Sequence, residues 1–469
     1  MGLRSALLGC GLIFGLAACA PTAPYRVDSS PCRTPGLAGA GSQCGNHAVE
    51  VTDRYTLGFV EFDDQGWLHP DRPNQMEEVF ATLDKEADDP DNNLLVLVFV
   101  HGWRHNAAGE DANVESFRRT LAAMYDLDNS KGAASRVRAD AAGARAAPLE
   151  KPRKVVGIYV GWRGKSLQGP DLWEVLSFYD RKFTADLVAK GSMRELFARL
   201  RQFQRKFDPV EAAKKQPVDP KVRMAIFGHS FGGLAVYNAM SQYLLEAAIA
   251  AEGSAAKVHP FADLVMLINP AFEGTRYEPL HRVARRGPYQ PGQPPVFVAV
   301  TSDDDAATRV AFPVGRWINT VFERENSREE KEANVHTVGH IPRYRTHVLT
   351  QCGDADRQSG NRGNTCTCPP GWTSSESGIS DQVVAVEETK AAEFRKAWAG
   401  PGGGLEAGWV RYFCGDLKLT HLAEAENRHP DSPFWMVYTD RSVIQGHSGF
   451  DNPTFQVFVR QLFHDTWPR

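Results

Sequence analysis

The stretch VRMAIFGHSFGGLAVYNAM, residues 222–240, decides the fold. Residues 222–227 are a short, largely apolar run with β-branched and aromatic side chains, and from Gly233 onward Leu234, Val236, Tyr237, Met240 and Leu244 recur at helical spacing. The pattern predicts a buried strand, a sharp turn and a helix, with Ser230 on the turn. Gly228 and Gly232 flank it without a Cβ to collide with neighbouring segments. Such a turn exposes the hydroxyl, and the free amides at the start of the new helix favour negative charge beside it. Ser230 is therefore a candidate nucleophile.

Working outward, strands alternate with helices. Strand-like runs are YTLGFVEF (55–62), LLVLVFVHG (94–102), KVVGIYVGW (154–162), ADLVMLINP (262–270), PPVFVAVTS (294–302) and FWMVYTD (434–440). Helical patterns lie around 114–125 and between 172 and 207. Continuous apolar strands such as 94–102 belong to a sheet buried on both faces, so the expected class is α/β with a mainly parallel, doubly wound sheet. Two segments break the rhythm. Residues 131–154 are Ala-rich without apolar periodicity and read as a surface loop. Residues 310–433 read as an insertion before the last strand, placed to form a cap over the site.

The chain has 469 residues, 42% hydrophobic and 23% charged, with a formal net charge of -4. That is ordinary for a globular protein and carries no polyanion footprint, so nucleic acid is not an expected partner. At the N-terminus, MGLRSALLGCGLIFGLAACAPTAP has one early positive charge at Arg4 and an apolar run too short to span a bilayer. It reads as a secretory signal. Its end, Leu16-Ala17-Ala18-Cys19, resembles the lipobox of bacterial lipoproteins, which implies cleavage before Cys19 and lipidation of it; Ala20 in place of aspartate implies, by the same resemblance, an outer-membrane destination facing the periplasm. The expected organisation is a signal at 1–18, a lipidated tether rich in Pro, Gly, Ser and Ala at 19–50, and one catalytic domain at 51–469.

Without Cys10 and Cys19, six cysteines remain: Cys32, Cys44, Cys352, Cys366, Cys368 and Cys414. In an oxidising envelope an even number points to disulfides, Cys32 with Cys44 closing a local loop and the other four stapling the insertion in an order the sequence leaves open. Zinc is disfavoured, because Cys-x-Cys lacks a second close pair. No metal or other cofactor is expected.

With VFVHGWRHNA (98–107), VGWRG (160–164), FYDRK (178–182) and GHSFGG (228–233) in this order, residues 55–469 resemble the α/β-hydrolase superfamily, and in particular a group of bacterial envelope hydrolases of unsettled substrate. The resemblance implies the chain order nucleophile, acid, histidine. The acid candidates are Asp303, Asp304 and Asp305; Asp305 is preferred because Ser302, Asp305, Ala307 and Thr308 match the pattern S-x-x-D-x-A-T. Glu273, after the preceding strand, is the runner-up. His447, after the last strand and before a closing helix, is the expected base. His340 and His347 lie in the insertion, His229 is too close in sequence to Ser230 to take its proton, and His101 is expected to orient the oxyanion loop. The backbone N–H groups of Phe231 and Trp103 are the expected oxyanion donors.

Two functions fit. The first is a serine esterase acting on carboxylic esters, lipid or lysophospholipid acyl esters favoured by the anchor, with thioesterase, acyltransferase and peptidase as variants of the same chemistry. The second is an envelope interaction lipoprotein that keeps the fold without the reaction. A serine, a histidine and candidate acids in the right chain order favour the first.

Overall fold

The computed structural model describes residues 23–34, 43–69, 74–142, 153–164, 171–207, 220–253, 257–320, 323–358, 365–370, 381–398, 405–423 and 429–466. The expected secretory leader, residues 1–18, and Cys19 lie outside the described residues. Within them the chain is α/β, built on one mostly parallel sheet of twelve strands.

The parallel strands are β3 (Tyr55–Phe62), β4 (Asn93–Val100), β5 (Arg153–Trp162), β6 (Val222–His229), β7 (Leu264–Ile268), β8 (Phe297–Ser302), β9 (His347–Gln351) and β12 (Phe434–Thr439). Their order across the sheet is β3-β5-β4-β6-β7-β8-β12-β9. All eight therefore end on one carboxyl edge. Strand β4 explains why both faces are covered: Leu94, Val96, Val98 and Val100 enter one core, and Leu95, Leu97 and Phe99 the other, as the two-residue side-chain period requires.

On the first face pack α1 (Gln75–Asp88), α3 (Asp171–Lys190), α4 (Met193–Phe207), α5 (Phe231–Ala251) and α6 (Gly274–Ala284), through residues such as Leu83, Val188, Leu196, Leu234 and Leu280. On the second lie α2 (Ala112–Ala142) and, late in the chain, α9 (Asp381–Trp398) and α10 (Pro453–Asp465), through Phe117, Trp398 and Phe458. Helix α2 corrects the expectation of a loop from 131: residues 131–142 continue the helix. Alanine has the highest helix propensity, so a stretch without an apolar stripe still forms helix there.

The insertion is likewise only in part a cap. Its first portion, with α7 (Phe312–Asn319) and α8 (Arg328–Val335), stays at the carboxyl edge beside the site. Its later portion extends the sheet through β9, β11 (Leu417–His421) and β10 (Val410–Phe413), and β12 then fills the gap between β8 and β9. Disulfides Cys352–Cys366 and Cys368–Cys414 lie in this extension.

Residues 19–50 are also not simply a tether. Segments 23–34 and 43–51 dock on the domain, adding β1 (Cys32–Arg33) and β2 (Val49–Val51) to the sheet edge beside β3, and are joined by Cys32–Cys44. Arg26 is buried: its guanidinium lies 3.5 Å over the Phe59 ring, bonds Glu50 Oε1 at 2.7 Å and donates to the carbonyls of Ala107 and Cys44. Glu61 accepts from the N–H groups of Tyr25 and Arg26. A composition rich in Pro, Gly, Ser and Ala suggested a loose segment, whereas isolated charged side chains find buried partners that only the fold brings near.

Candidate active site

Ser230 stands between β6 and α5 with φ 55° and ψ -119°, a backbone conformation that L-residues avoid and that costs about 1–3 kcal/mol. The flanking glycines make the turn possible. A Cβ on Gly232 would lie 2.1 Å from the Val100 carbonyl oxygen, and one on Gly102 would lie 2.7 Å from the Ser230 Cβ. The HGW turn after β4 is thus pressed against the serine.

The Ser230 hydroxyl donates to His447 Nε2 at 2.7 Å, and His447 Nδ1–H donates to Asp305 Oδ2 at 2.8 Å. Asp305 is fully buried and also accepts from the N–H groups of Ala307 and Thr308 and, at 2.5 Å, from the Thr308 hydroxyl. Burial by itself raises its pKa, but His447 and Thr308 outweigh that and hold the carboxyl below its ordinary value. It is an anion that orients an imidazole. The expected exposure of the serine is corrected: Ser230 is 1% exposed, because the Gly102 turn and the His447 ring both close on it, and the 21% exposure of the His447 side chain leaves solvent reaching the pair from the imidazole side.

Glu273, the runner-up acid, belongs to a different group. It pairs with Lys182, with Arg276 at 3.0 Å and with Arg316 at 3.2 Å. Burial raises its pKa, yet these cations bring it down to about 2. The FYDRK motif supplies Lys182, and its Phe178 ring packs against Trp103, Phe231 and Phe312. Arg181 of the same motif pairs with Asp64 and donates to the Arg163 carbonyl.

Phe231 is the first residue of α5, where a helix leaves its amides without intrahelical acceptors, and Trp103 follows Gly102 on the turn that meets Ser230. His101 holds that turn: its Nδ1–H donates to the Gly102 carbonyl and its Nε2 accepts from Trp162 N–H, with burial lowering its pKa to about 4 so that it stays neutral. The VGWRG motif clasps the same loop, Gly164 exchanging backbone bonds with Arg104 and His105.

No protein-family model matches the chain, and no curated protein or solved structure matches it significantly.

Asn269, which carried no separate signal in the sequence, and several residues that the sequence singled out for other reasons fix this chemistry. Asn269, at φ 44°, donates to the His447 and Gly446 carbonyls and accepts from Ser302 N–H. His229, too close in sequence to act on Ser230, donates to the His447 carbonyl at 2.9 Å. Asp304 accepts from Gly446 N–H, and the Ser302 hydroxyl donates to the Ile444 carbonyl. His340 Nε2 lies 3.0 Å from the Thr308 hydroxyl and thus enters the site indirectly. His347 does not enter it; its ring is buried among Trp409, Trp435 and His421. The Ser302 and Thr308 bonds give a physical reason for the S-x-x-D-x-A-T pattern. Among the described residues no cluster of His, Cys, Asp and Glu is arranged to hold a metal ion.

Proposed function

We propose that this chain is a serine hydrolase of the α/β-hydrolase type that cleaves carboxylic esters through an acyl-enzyme. The supporting observation is the continuous chain of bonds from the Ser230 hydroxyl through His447 to the buried Asp305 carboxylate. His447 takes the hydroxyl proton as Ser230 Oγ bonds to the acyl carbon, and Asp305 stabilises the imidazolium that forms. The negative oxygen of the tetrahedral adduct accepts from the N–H groups of Phe231 and Trp103. The C–O bond then breaks and the alcohol leaves with the proton from His447. Water, activated by the same imidazole, releases the acid and restores the serine.

A fluorophosphonate probe tests the reading. It should label the protein at Ser230 and not label Ser230→Ala; equal labelling of both, or of neither, overturns the proposal.

A further inference from the structure

Between Cys19 and Ala23, where the described chain begins, there are four residue steps, which reach at most about 14 Å. Beyond that point the chain is not free. Tyr25 and Arg26 are fastened to Glu61, and Ala23 and Tyr25 line a cavity together with Phe62, Asp64, Trp162 and Arg163. Phe62 and Trp162 are the last residues of β3 and β5, so a lipid attached to Cys19 would lie within that reach of the carboxyl edge of the sheet. Ser230 follows β6 on that same edge, three strand spacings from β3, or about 14 Å at ~4.8 Å each.

The distribution of exposed apolar side chains is an independent observation. Five of the seven large apolar side chains that are more than half exposed among the described residues are Trp67, Phe183, Val310, Val314 and Trp317; the other two are Val27 in the docked N-terminal segment and Ile249 near the C-terminal end of α5. Trp67 follows β3, Phe183 lies on α3 after β5, and Val310, Val314 and Trp317 follow Asp305 beyond β8. All five come from segments that leave the sheet at its carboxyl edge. Positions 310, 314 and 317 recur at helical spacing and form one stripe.

We propose that the carboxyl edge lies against the bilayer that holds the Cys19 lipid, with these five side chains at headgroup level, and that the ester presented to Ser230 belongs to an amphiphile resident in that bilayer. The substrate clause rests on the serine-hydrolase reading, and the orientation rests on lipidation of Cys19. A lipid anchor fixes a point of attachment but not the orientation of the domain, which an apolar protein face beside it supplies. Tryptophan is the side chain most at home at that depth.

The test uses the full-length protein, purified with its lipid and reconstituted into phosphatidylethanolamine–phosphatidylglycerol vesicles doped with phosphatidylcholine brominated on its acyl chains. Tryptophan emission should be quenched, and the Trp67→Phe/Trp317→Phe double variant should lose most of the quenched component. Both side chains are exposed, so the fold should be unaffected. Unchanged quenching in the double variant overturns the orientation, as does an N-terminal peptide without lipid by mass spectrometry. In a second arm, a 30-residue Gly/Ser linker between Ala20 and Pro21 lets the domain drift about 30 Å from the surface. It should leave hydrolysis of soluble p-nitrophenyl butyrate unchanged and lower that of vesicle-embedded 1-palmitoyl lysophosphatidylethanolamine by about tenfold. Equal rates on the embedded ester overturn the substrate clause. No hydrolysis of the soluble ester by any form overturns the hydrolase reading, and the clause with it, while the quenching still decides the orientation.

Discussion

The Thr308 hydroxyl donates to Asp305 Oδ2 at 2.5 Å and, having spent its proton there, is left to accept from His340 Nε2–H at 3.0 Å. Burial lowers the His340 pKa to about 4, so the ring is neutral at pH 7 and carries its proton on Nε2 as this bond requires. The carboxylate that orients His447 is thus itself oriented by a side chain three residues away, which in turn is held by a residue of the insertion.

Thr308→Val keeps the side-chain shape and removes the hydroxyl. The expected outcome on a short p-nitrophenyl ester is a fall of about tenfold in kcat with KM unchanged, the scale of one hydrogen bond to a charged group. Thr308→Ser should restore most of the rate. A fall in KM and kcat together, without rescue by serine, would show a packing role instead.

The two candidate acids separate cleanly by substitution. Asp305→Asn should lower kcat by about four orders of magnitude, since an amide holds the imidazole in the wrong tautomer, and His447→Ala by a similar factor. Glu273→Gln should leave kcat within about threefold, because Glu273 faces Lys182, Arg276 and Arg316 and not His447. Steady-state kinetics of the three variants decide the assignment.

Glu273 should instead govern acid stability. Its folded-state pKa of about 2 lies below the ordinary 4.5, so the contribution is complete above pH 4.5 and is lost as pH falls through 2. A difference of that size corresponds to stabilisation on the order of 3 kcal/mol. Urea denaturation between pH 6 and pH 2 should show wild-type stability falling more steeply than that of Glu273→Gln. Parallel slopes would remove Glu273 from the acid response.

Arg26 makes the docked N-terminal segment part of the domain. Glu50 accepts from both Arg26 and Arg118 in a buried cluster, so Arg26→Ala leaves one of its two cationic partners missing. Breaking such a buried pair costs about 3–5 kcal/mol. The denaturation midpoint should drop accordingly, and limited proteolysis should cut between residues 26 and 50 while ester hydrolysis persists in the folded fraction. A midpoint equal to wild type would mean that the segment contributes no stability.

Local physics is what the sequence by itself determined. Glycine placement and apolar periodicity fixed the strand, turn and helix around Ser230, and the continuous apolar run of β4 fixed a sheet covered on both faces, because steric and hydrophobic constraints of that kind act within ten or so residues. Ser230 was legible in the same way, whereas the candidate acids and His447 were expected from the resemblance to the α/β-hydrolase superfamily and its chain order. Which candidate acid meets the histidine was decided only by the tertiary structure: Asp305 bonds His447, 142 residues away, and Glu273 meets a lysine 91 residues back. The same holds for Arg26 and Asn269, and for the later part of the insertion, which became sheet. A charge or a hydroxyl takes its role from the partner that satisfies it on burial, and a distant partner leaves no local pattern to read.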